Sequence, residues 1–415
     1  PAHWEVRRLK HIAPFAVDRI SEKDMDLPFI GLEHIESGTG KLVPDAANGD
    51  GESGDTEGPG IRFKSGDVLF GKLRPYLAKV IRSEFEGRCS SELLVLRSSR
   101  EIKPPFLGFQ LLSTGFIGWI NAMTYGTKMP RANADQVGAT FVALAPIAEQ
   151  DRIAAFLDRE TARIGGLVAK NERLIELLRE KRTALITRAV TKGFDPKVLM
   201  KDSGVEWLCE IPLHWEVMKT TWLFSIGSGT TPRSEDPAYY GGVTPWITTS
   251  ELRESIVVST EKNVSDEALR SHSSLKVYPK GSIAVAMYGA TIGRIGILGV
   301  AATVNQACCV FSEPKSIEAQ FWFYWLQMRR PYLISLGYGG GQPNLSQELL
   351  RSVRVPMPPL PEQCTIIAFL DRETAKIDAL VTKVLEAIDS LKEYRTALIS
   401  AAVTGKIDIR EPAAG

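Results

Sequence analysis

Two long stretches of the chain place apolar residues with the seven-residue period of a coiled-coil helix. The first runs from about Ala148 to Val190 without a proline, and the second is its copy 213 positions later. Of the 43 residues at 149–191, 26 recur identically in the copy. An amphipathic helix must bury its apolar stripe, and each stripe finds its nearest match in the other. The pattern therefore predicts two helices of roughly 40 residues and about 60 Å that pack as a coiled coil.

The predicted seam of this coiled coil is mostly aliphatic. Its core positions are Ile164, Val168, Ile175, Leu178, Leu185, Ile377, Val381, Ile388, Leu391 and Leu398. Asn171 stands where its copy has Val384, so it either fixes the helix register or lies partly exposed. Because a single internal repeat implies a pseudo-two-fold axis, the pair is expected to be antiparallel.

Outside the helices the pattern changes to short apolar runs broken by Gly, Pro, Ser and Asn. Runs such as DVLFGKL, SELLVLRS, PWITTS and SIAVAMYG are typical of strands. Short helices are predicted at 104–115 and 318–330. The acidic, glycine-rich stretch 45–60 is predicted to be a mobile loop.

The β-rich segments repeat more loosely than the helices do. HWEV opens both, and KDSGVEWLCEIPL precedes only the second, so the repeat predicts residues upstream of Pro1. The predicted fold is α+β, with two β-rich domains separated by two long helices that form an antiparallel coiled coil. Its segments are a first domain at 1–147, a central helix at 148–192, a linker at 193–210, a second domain at 211–360 and a distal helix at 361–405.

The composition is that of an ordinary globular protein, with 44% hydrophobic and 24% charged residues. No apolar run reaches the roughly 18 residues of a membrane span, and no basic-plus-apolar leader opens the sequence, so neither a membrane span nor a secretion signal is expected. The five cysteines are scattered and odd in number, which is typical of a cytoplasmic protein. The five cysteines and five histidines lack ligand spacing, which predicts reduced thiols and no metal site. The net charge of +1 neither supports nor excludes nucleic acid, because binding depends on local patches.

Three stretches imitate catalytic motifs, and each lacks an essential feature. GDVLFGKL (66–73) fits a phosphate loop until Leu73, where magnesium binding needs Ser or Thr. KPPF (103–106) is similar to a DNA methyltransferase motif, but Lys103 cannot accept a hydrogen bond from a target amine. The glycines of 287–299 suit strand ends and turns better than a dinucleotide site. The chain is therefore expected to be non-catalytic and to hold no cofactor.

The whole plan resembles the specificity subunit of a type I restriction–modification system. The resemblance rests on PIAEQ (146–150) and PLPEQ (359–363), on FLDRETA in both helices, and on GVEWLCEIPLHWEV between the halves. It implies two target recognition domains, each reading one half of a split, asymmetric double-stranded DNA site. It also implies that the helices space the domains and dock two methyltransferase subunits carrying S-adenosylmethionine. Restriction subunits using ATP and magnesium would join through the complex.

Candidate DNA contacts lie beside turns in both domains, where Arg, Lys, Asn and Gln are the usual readers of base edges. An ordinary solvated surface residue is the alternative at each position. The candidates are Lys72, Arg74, Tyr76, Lys128 and Arg131 in the first domain and Tyr288, Thr291, Arg294, Gln342 and Asn344 in the second. Basic and acidic residues nearly balance, with 18 and 18 in 1–147 and 13 and 11 in 211–360. Weak binding by this chain alone is therefore expected.

Charged and amide residues of the shared helical block that are expected to point outward are candidates for docking partner subunits. They are Glu149, Gln150, Asp158, Arg159, Glu160, Arg182, Glu362, Gln363, Asp371, Arg372, Glu373 and Arg395. Helix capping and intrahelical pairing are the alternative, particularly for the glutamates in the first turns.

Two other functions are compatible with the sequence. A coiled-coil scaffold could bind two copies of a partner without reading DNA. A stand-alone DNA methyltransferase is disfavoured, because its cofactor and amine-binding motifs are not intact.

Overall fold

The structure is a computed structural model that describes residues 1–18, 20, 26–43, 60–126, 128–337 and 344–409. The loop predicted at 45–60 lies outside the described residues except for Gly60. The chain divides into unit 1, which comprises Pro1–Arg173 and Lys383–Gly415, and unit 2, which comprises Leu174–Thr382. Each unit therefore contains one β-rich module and one part of each repeated helical stretch.

The module of unit 1 is built from short strands in small sheets. The strands are β1 (Glu5–Arg8), β2 (Phe29–Ile30), β3 (Ile61–Phe63), β4 (Val68–Gly71), β5 (Val80–Arg82), β6 (Gly87–Cys89), β7 (Leu93–Leu96) and β8 (Phe141–Leu144). Antiparallel β1 and β8 form one sheet, β2-β6-β3 a second and β5-β4-β7 a third. The strands β4 and β7 are buried throughout, which explains their unbroken apolar runs.

Helices close the core of this module. They are α1 (Leu9–Ile12), α2 (Pro104–Leu112), α3 (Thr114–Ala122) and α4 (Ala134–Ala139). The helix predicted at 104–115 is confirmed as α2, which begins with Pro104 at a position where its missing N–H costs nothing. Buried Phe70, Phe106 and Phe116 form part of one apolar cluster. The long helix α5 (Ile147–Lys192) follows the module.

Unit 2 has a larger module. Its strands are β9 (Met200–Asp202), β10 (Glu210–Pro212), β11 (Glu216–Lys219), β12 (Ser225–Ser228), β13 (Tyr240–Ile247), β14 (Ser255–Val257), β15 (Asn263–Val264), β16 (Ile283–Ala286), β17 (Ile295–Leu298), β18 (Thr303–Val304), β19 (Cys308–Ser312) and β20 (Arg354–Met357). The largest sheet has the order β12-β19-β16-β17-β14, and smaller sheets are β15-β13-β18, β11-β20 and β9-β10.

The helices of unit 2 cover these sheets. They are α6 (Thr220–Leu223), α7 (Asp266–Ser271), α8 (Ala319–Ser335) and α9 (Gln347–Ser352), and the second long helix is α10 (Leu360–Val403). The helix α8 confirms the prediction at 318–330 and buries Trp322 and Trp325 completely. No helix among the described residues has both the length and the apolar run that a bilayer crossing requires.

The two long helices run in opposite directions in each unit. In unit 1, Leu157 near the start of α5 shares a core with Ile399 near the end of α10. In unit 2, Val190 near the end of α5 shares a core with Leu370 near the start of α10. The predicted α+β fold with an antiparallel helix pair is confirmed.

The predicted seam of this pair is buried or half-buried at every position. Buried members are Ile164, Ile175, Leu178, Ile377 and Ile388, and half-buried ones are Val168, Leu185, Val381, Leu391 and Leu398. Asn171 is half-buried where its copy Val384 is buried. A role of Asn171 in fixing register stays a prediction.

Candidate functional site

The first turn of α5 holds the start of the β-rich module through Glu149. Its carboxylate accepts a hydrogen bond of 3.0 Å from Trp4 Nε1 and lies 2.8 Å from His3 Nε2. The tryptophan and histidine belong to the first HWEV, and the glutamate belongs to the first EQ. These repeated motifs are therefore two sides of one contact between module and helix.

The first turn of α10 makes the same contact in unit 2. Glu362 accepts from Trp215 Nε1 at 3.1 Å and lies 2.8 Å from His214 Nε2. The identity of Glu149 and Glu362 is thus explained within the chain, by contacts to the module rather than by helix capping or intrahelical pairing. Neither glutamate needs a partner protein to account for its repetition.

Gln150, the next residue of α5, is completely buried and fixes a turn of the module. The Lys103 N–H donates to its Oε1 at 2.8 Å, while its Nε2 donates to the carbonyls of Glu101 at 2.9 Å and Ala145 at 2.7 Å. The prediction that Gln150 lies on a docking surface is wrong, because its side chain is 0% exposed.

Gln363 repeats this arrangement in unit 2 and is also 0% exposed. The Glu318 N–H donates to its Oε1 at 2.8 Å, and its Nε2 donates to the carbonyls of Ser316 at 3.1 Å and Pro358 at 2.8 Å. Its predicted place on the docking surface is wrong for the same reason. The pair EQ therefore acts as an anchor that joins each module to its helix.

Acid should weaken the anchor of unit 1. The Trp4 hydrogen bond, and secondarily that of His3, holds the pKa of Glu149 below its ordinary value. A carboxyl group of this kind contributes stability above its unfolded pKa, about 4.3, and loses it as pH falls through the lower folded pKa. We expect the difference in unfolding free energy between wild type and Glu149→Gln to shrink as pH falls below about 4.3. Urea unfolding at each pH measures this difference, and a difference independent of pH would contradict it.

The DRE tripeptide in mid-helix makes local contacts in α5. The Arg159 guanidinium lies 5.6 Å from the ring centroid of Phe156, and Glu160 pairs with Arg163 at 3.0 Å. The side chain of Arg159 nevertheless stays 68% exposed, and Asp158 is exposed as well. The local contacts therefore engage the tripeptide but leave Asp158 and Arg159 exposed to solvent.

The second DRE repeats these contacts in α10. Arg372 lies 5.4 Å from the Phe369 ring centroid and is 60% exposed, and Glu373 pairs with Lys376 at 2.9 Å. Intrahelical pairing therefore explains part of the identity between the copies. Two exposed arginines at matched positions remain available to a partner.

Asp371 has a contact that its copy lacks. The Tyr324 hydroxyl donates to Asp371 Oδ1 at 2.5 Å, and the position matched to Tyr324 is Leu111. Burial, together with this hydrogen bond, raises the pKa of Tyr324 to about 12. Asp371 is therefore tied to its own module, whereas no tyrosine hydroxyl is available to Asp158 from the matched position.

Arg182 and Arg395 are both bound within the chain rather than pointing outward as predicted. Arg182 Nε donates to Asp378 Oδ1 of the other long helix at 3.1 Å. Arg395 Nη2 donates to the Gly38 carbonyl at 2.8 Å, and burial lowers the pKa of Arg395. The outward placement predicted for these arginines is wrong, because both are half-buried against other parts of the fold.

The DNA-contact candidates of unit 1 come together on two adjoining loops. Arg74 N–H donates to the Pro130 carbonyl at 2.7 Å, and Ala132 N–H donates to the Lys72 carbonyl at 2.9 Å. Arg131 lies on the same pair of loops, where its guanidinium binds Glu92 at 2.8 Å. That carboxylate offsets the charge of Arg131.

Two further candidates of unit 1 are open to solvent. Tyr76, in the turn Pro75–Leu77, is 52% exposed, and Lys128 is exposed in the neighbouring loop. Exposure of an aromatic and a cationic side chain beside fixed backbone suits contact with bases and phosphates.

The candidates of unit 2 occupy the matching loops. Leu345 N–H donates to the Met287 carbonyl at 2.7 Å, which places exposed Asn344 beside the strand end that carries Tyr288. Thr291 ends the turn Gly289–Thr291, and Arg294 is half-buried in the following loop. Gln342 lies outside the described residues.

The two loops share a backbone frame, by which we mean left-handed residues at the same spacing, although their side chains differ. The left-handed conformation occurs at Arg74 (φ 50°) and Ala78 (φ 46°) in unit 1 and at Gly289 (φ 79°) and Gly293 (φ 71°) in unit 2. The spacing between left-handed residues is the same in both loops. Sequence reasoning missed this frame because arginine and alanine do not signal a left-handed backbone.

Ala78→Gly is expected to stabilise unit 1 by up to about 1 kcal/mol, since relief of left-handed strain outweighs the greater chain entropy of glycine. The reverse change, Gly293→Ala, should destabilise unit 2, because the new Cβ would lie 2.9 Å from Ile334 Cδ1. Equilibrium denaturation measures both, and equal signs for the two changes would contradict the shared frame.

Across the described residues, no group of three or more His, Cys, Asp or Glu is arranged to hold a metal ion.

Comparisons with known proteins agree with the repeat and the fold. Residues 212–390 match the family model of the type I restriction modification DNA specificity domain. The MjaIX type I restriction enzyme specificity subunit of Methanocaldococcus jannaschii is 29% identical over 170 residues, which are 39% of this chain and 39% of that protein. The putative MjaX specificity subunit of the same organism is 24% identical over 435 residues, covering 99% of this chain and 95% of that protein.

Solved structures show the same fold. A chain from a study of complex assembly and conformational transition of the type I restriction–modification system matches 98% of this chain and 99% of its own length, with a TM-score of 0.77 and 20% identity. The HsdS subunit of Thermoanaerobacter tengcongensis matches 98% of both chains, with a TM-score of 0.55 and 20% identity. Over residues 212–390 the chain therefore carries a type I restriction modification DNA specificity domain, and over nearly its whole length it is similar in sequence and in fold to type I restriction–modification specificity subunits.

Proposed function

We propose that each module reads one half of a split, asymmetric DNA site through its pair of adjoining loops. One observation carries this proposal: the loops at 72–76 with 128–131 and at 288–294 with 344 share a backbone frame but differ in side chains. A common frame would present each loop pair to the groove in the same way, and different side chains would select different bases. Lys72, Arg74, Tyr76, Lys128 and Arg131 would contact one half, and Tyr288, Thr291, Arg294, Gln342 and Asn344 the other.

The long helices are the proposed docking surface for two methyltransferase subunits. The exposed, repeated arginines Arg159 and Arg372 support two equivalent contacts, because each lies beside a phenylalanine ring and a glutamate of its own helix. S-adenosylmethionine would be bound by those partners, with ATP and magnesium used by restriction subunits. The complex would act in the cytoplasm, where its DNA lies.

The chain alone is expected to bind DNA weakly. Its net charge of +1 leaves little excess cation to neutralise phosphates, and Arg131 is already paired with Glu92. Partner subunits would therefore supply much of the phosphate contact.

Reconstitution with a methyltransferase subunit tests the function. The purified complex is first used to map the methylated sequence, and each half of that sequence is then scrambled separately. The proposal requires methylation to be lost with either half scrambled, and it requires the chain alone to methylate nothing. A complex that methylates without regard to sequence would favour a scaffold that does not read DNA.

Charge reversal on the helices tests the docking surface. Arg159→Glu or Arg372→Glu alone should weaken one of two contacts by about 10-fold or more, which leaves mainly one-to-one complexes, and both changes together should leave free chain. Native mass spectrometry of the mixed subunits measures the stoichiometry. Lys181→Glu is the control, because Lys181 is exposed on α5 but its matched residue is Tyr394. Two partners bound to the double variant at wild-type affinity would exclude these arginines from docking.

A further inference from the structure

The side chain of Arg131 is tethered within unit 1 although nearly half of it is exposed. Its Nη2 donates to Glu92 Oε1 at 2.8 Å, and the two side chains are 45% and 21% exposed. The second carboxylate oxygen, Glu92 Oε2, is buried and has no hydrogen-bond partner among the described residues. The contact therefore engages one corner of the guanidinium and does not consume its other N–H donors.

The backbone on both sides of this pair is fixed as well. Ala132 N–H donates to the Lys72 carbonyl, and Lys72 N–H donates to the Glu92 carbonyl, each at 2.9 Å. Arg131 N–H donates to the Tyr125 carbonyl at 3.1 Å. The backbone ladder formed by Ala132, Lys72 and Glu92 thus sets the positions of arginine and glutamate together, and the guanidinium has less freedom to lose on binding.

A tether of this kind changes what an arginine contributes to DNA binding. An untethered arginine can follow any phosphate, and phosphates carry no sequence information directly. The carboxylate of Glu92 offsets the charge that would draw Arg131 to a phosphate, and it would itself be repelled there. A fixed fork of N–H donors matches O6 and N7 of guanine in the major groove, which is the commonest specific contact of arginine.

Unit 2 repeats the backbone ladder. Leu345 N–H donates to the Met287 carbonyl at 2.7 Å, and Met287 N–H donates to the Ala307 carbonyl at 2.8 Å. Leu345 follows its counterpart Ala132 by 213 residues, and the other two members follow theirs by 215. The residue before Leu345 therefore occupies the place that Arg131 has in unit 1.

The side chains at the two matched positions differ in a coordinated way. Asn344 stands in the place of Arg131 and is exposed, and Ala307 stands in the place of Glu92. An amide carries no charge, so it needs no carboxylate to keep it from phosphates. Its donor and acceptor match N7 and the N6 amino group of adenine, which is the usual bidentate contact of asparagine.

We propose that Arg131 reads a guanine in one half of the DNA site, with Glu92 as the positioning residue that orients it, and that Asn344 reads an adenine in the other half. The inference rests on the function proposed above, in which the two loop pairs contact bases, and it adds which base each of these residues selects. Glu92 acts only through Arg131.

The test uses the complex with a methyltransferase subunit and duplexes in which each base pair of the mapped site, other than the methylated one, is replaced in turn. Arg131→Ala should lose discrimination by about 10-fold or more at one G·C pair and keep it elsewhere. Asn344→Ala should do the same at one A·T pair of the other half. Steady-state methylation of each duplex measures the discrimination. Arg100→Ala, at an exposed arginine of unit 1 outside the loop pairs, is the control and should match wild type at every pair.

Glu92→Ala separates positioning from a structural role. It should relax discrimination at the same G·C pair as Arg131→Ala, while affinity for unrelated DNA rises and its salt slope steepens by about 1, because the arginine is released to phosphates. Loss of folding would instead lower methylation of every sequence and raise affinity for none. Glu92→Gln keeps an acceptor for Arg131 and should retain more discrimination than Glu92→Ala. Glu84→Ala, which removes an exposed carboxylate elsewhere in unit 1, should retain all of it.

The outcomes that overturn the inference are specific to it. Equal loss on all duplexes with Arg131→Ala would place the arginine on phosphate, and relaxation at a pair other than G·C would give it another base. The same holds for Asn344→Ala and its A·T pair. Wild-type discrimination in both Glu92→Gln and Glu92→Ala would remove the positioning role, and Glu92→Gln alone decides this point if Glu92→Ala does not fold. In each case wild type still rejects a scrambled half-site, whereas failure of the proposed function is a wild-type complex that ignores sequence.

Discussion

Gln363→Ala is expected to destabilise unit 2 by about 2–4 kcal/mol, although the residue lies in a helix segment rich in polar residues. The change removes three hydrogen bonds from a side chain that is 0% exposed. It leaves the Pro358 carbonyl buried without a partner, which costs about 1–3 kcal/mol, and it also removes the part-buried hydrogen bonds to the Glu318 N–H and the Ser316 carbonyl. Urea unfolding measures the loss, and hydrogen exchange should show it first around residues 316–318.

The chain provides its own controls for this prediction. Gln150→Ala should produce the same loss in unit 1, with faster exchange around residues 101–103. Cys364→Ala, next to Gln363 but exposed, should change the unfolding free energy by less than about 0.5 kcal/mol. If Gln363→Ala behaves like Cys364→Ala, the glutamine is not an anchor and its identity with Gln150 needs another cause.

These glutamines show where the sequence informs and where it does not. The heptad pattern identified both helices and their seam, because periodicity within one helix is a local property of the chain. The burial of Gln150 depends on a turn at residues 101–103, which is distant in sequence and carries no matching periodicity. An amide repeated beside a glutamate, at the start of both helices, was the available signal. Because polar residues in a helix usually face solvent, the sequence favours a partner surface for this amide.

The loop pairs that we propose to contact DNA show a different limit. Turn residues and cationic side chains were enough to place Lys72, Arg74 and Tyr76 near one another. The match between the two modules was hidden, because the loop pairs align at a separation of 215 residues around Arg74 and Gly289 but at 213 around Pro130 and Pro343. Because the separation changes between these two points, an alignment at a single separation does not show that the two loops share one backbone frame.

Removing exposed side chains from the pair of adjoining loops in one module is expected to abolish recognition of one half-site and to spare recognition of the other. The first variant combines Tyr76→Ala with Lys128→Ala, and the second combines Tyr288→Ala with Asn344→Ala. Contacts to bases contribute about 1–3 kcal/mol each, so each pair should lower methylation of the intact site by about 10²-fold. Steady-state methylation by the reconstituted complex, on duplexes with each half scrambled, measures the discrimination at each half separately.

The test depends on which half-site loses discrimination rather than on how far methylation falls. A variant that has lost its base contacts no longer distinguishes the correct first half from a scrambled one, while it still rejects a scrambled second half. Tyr394→Ala is the matched control, because this tyrosine on α10 is 52% exposed, as Tyr76 is, but lies outside both loop pairs. Equal weakening at both halves by either variant would mean that the loops contact phosphates only. In that case the shared backbone frame would position the modules on DNA, and sequence would have to be read by other residues.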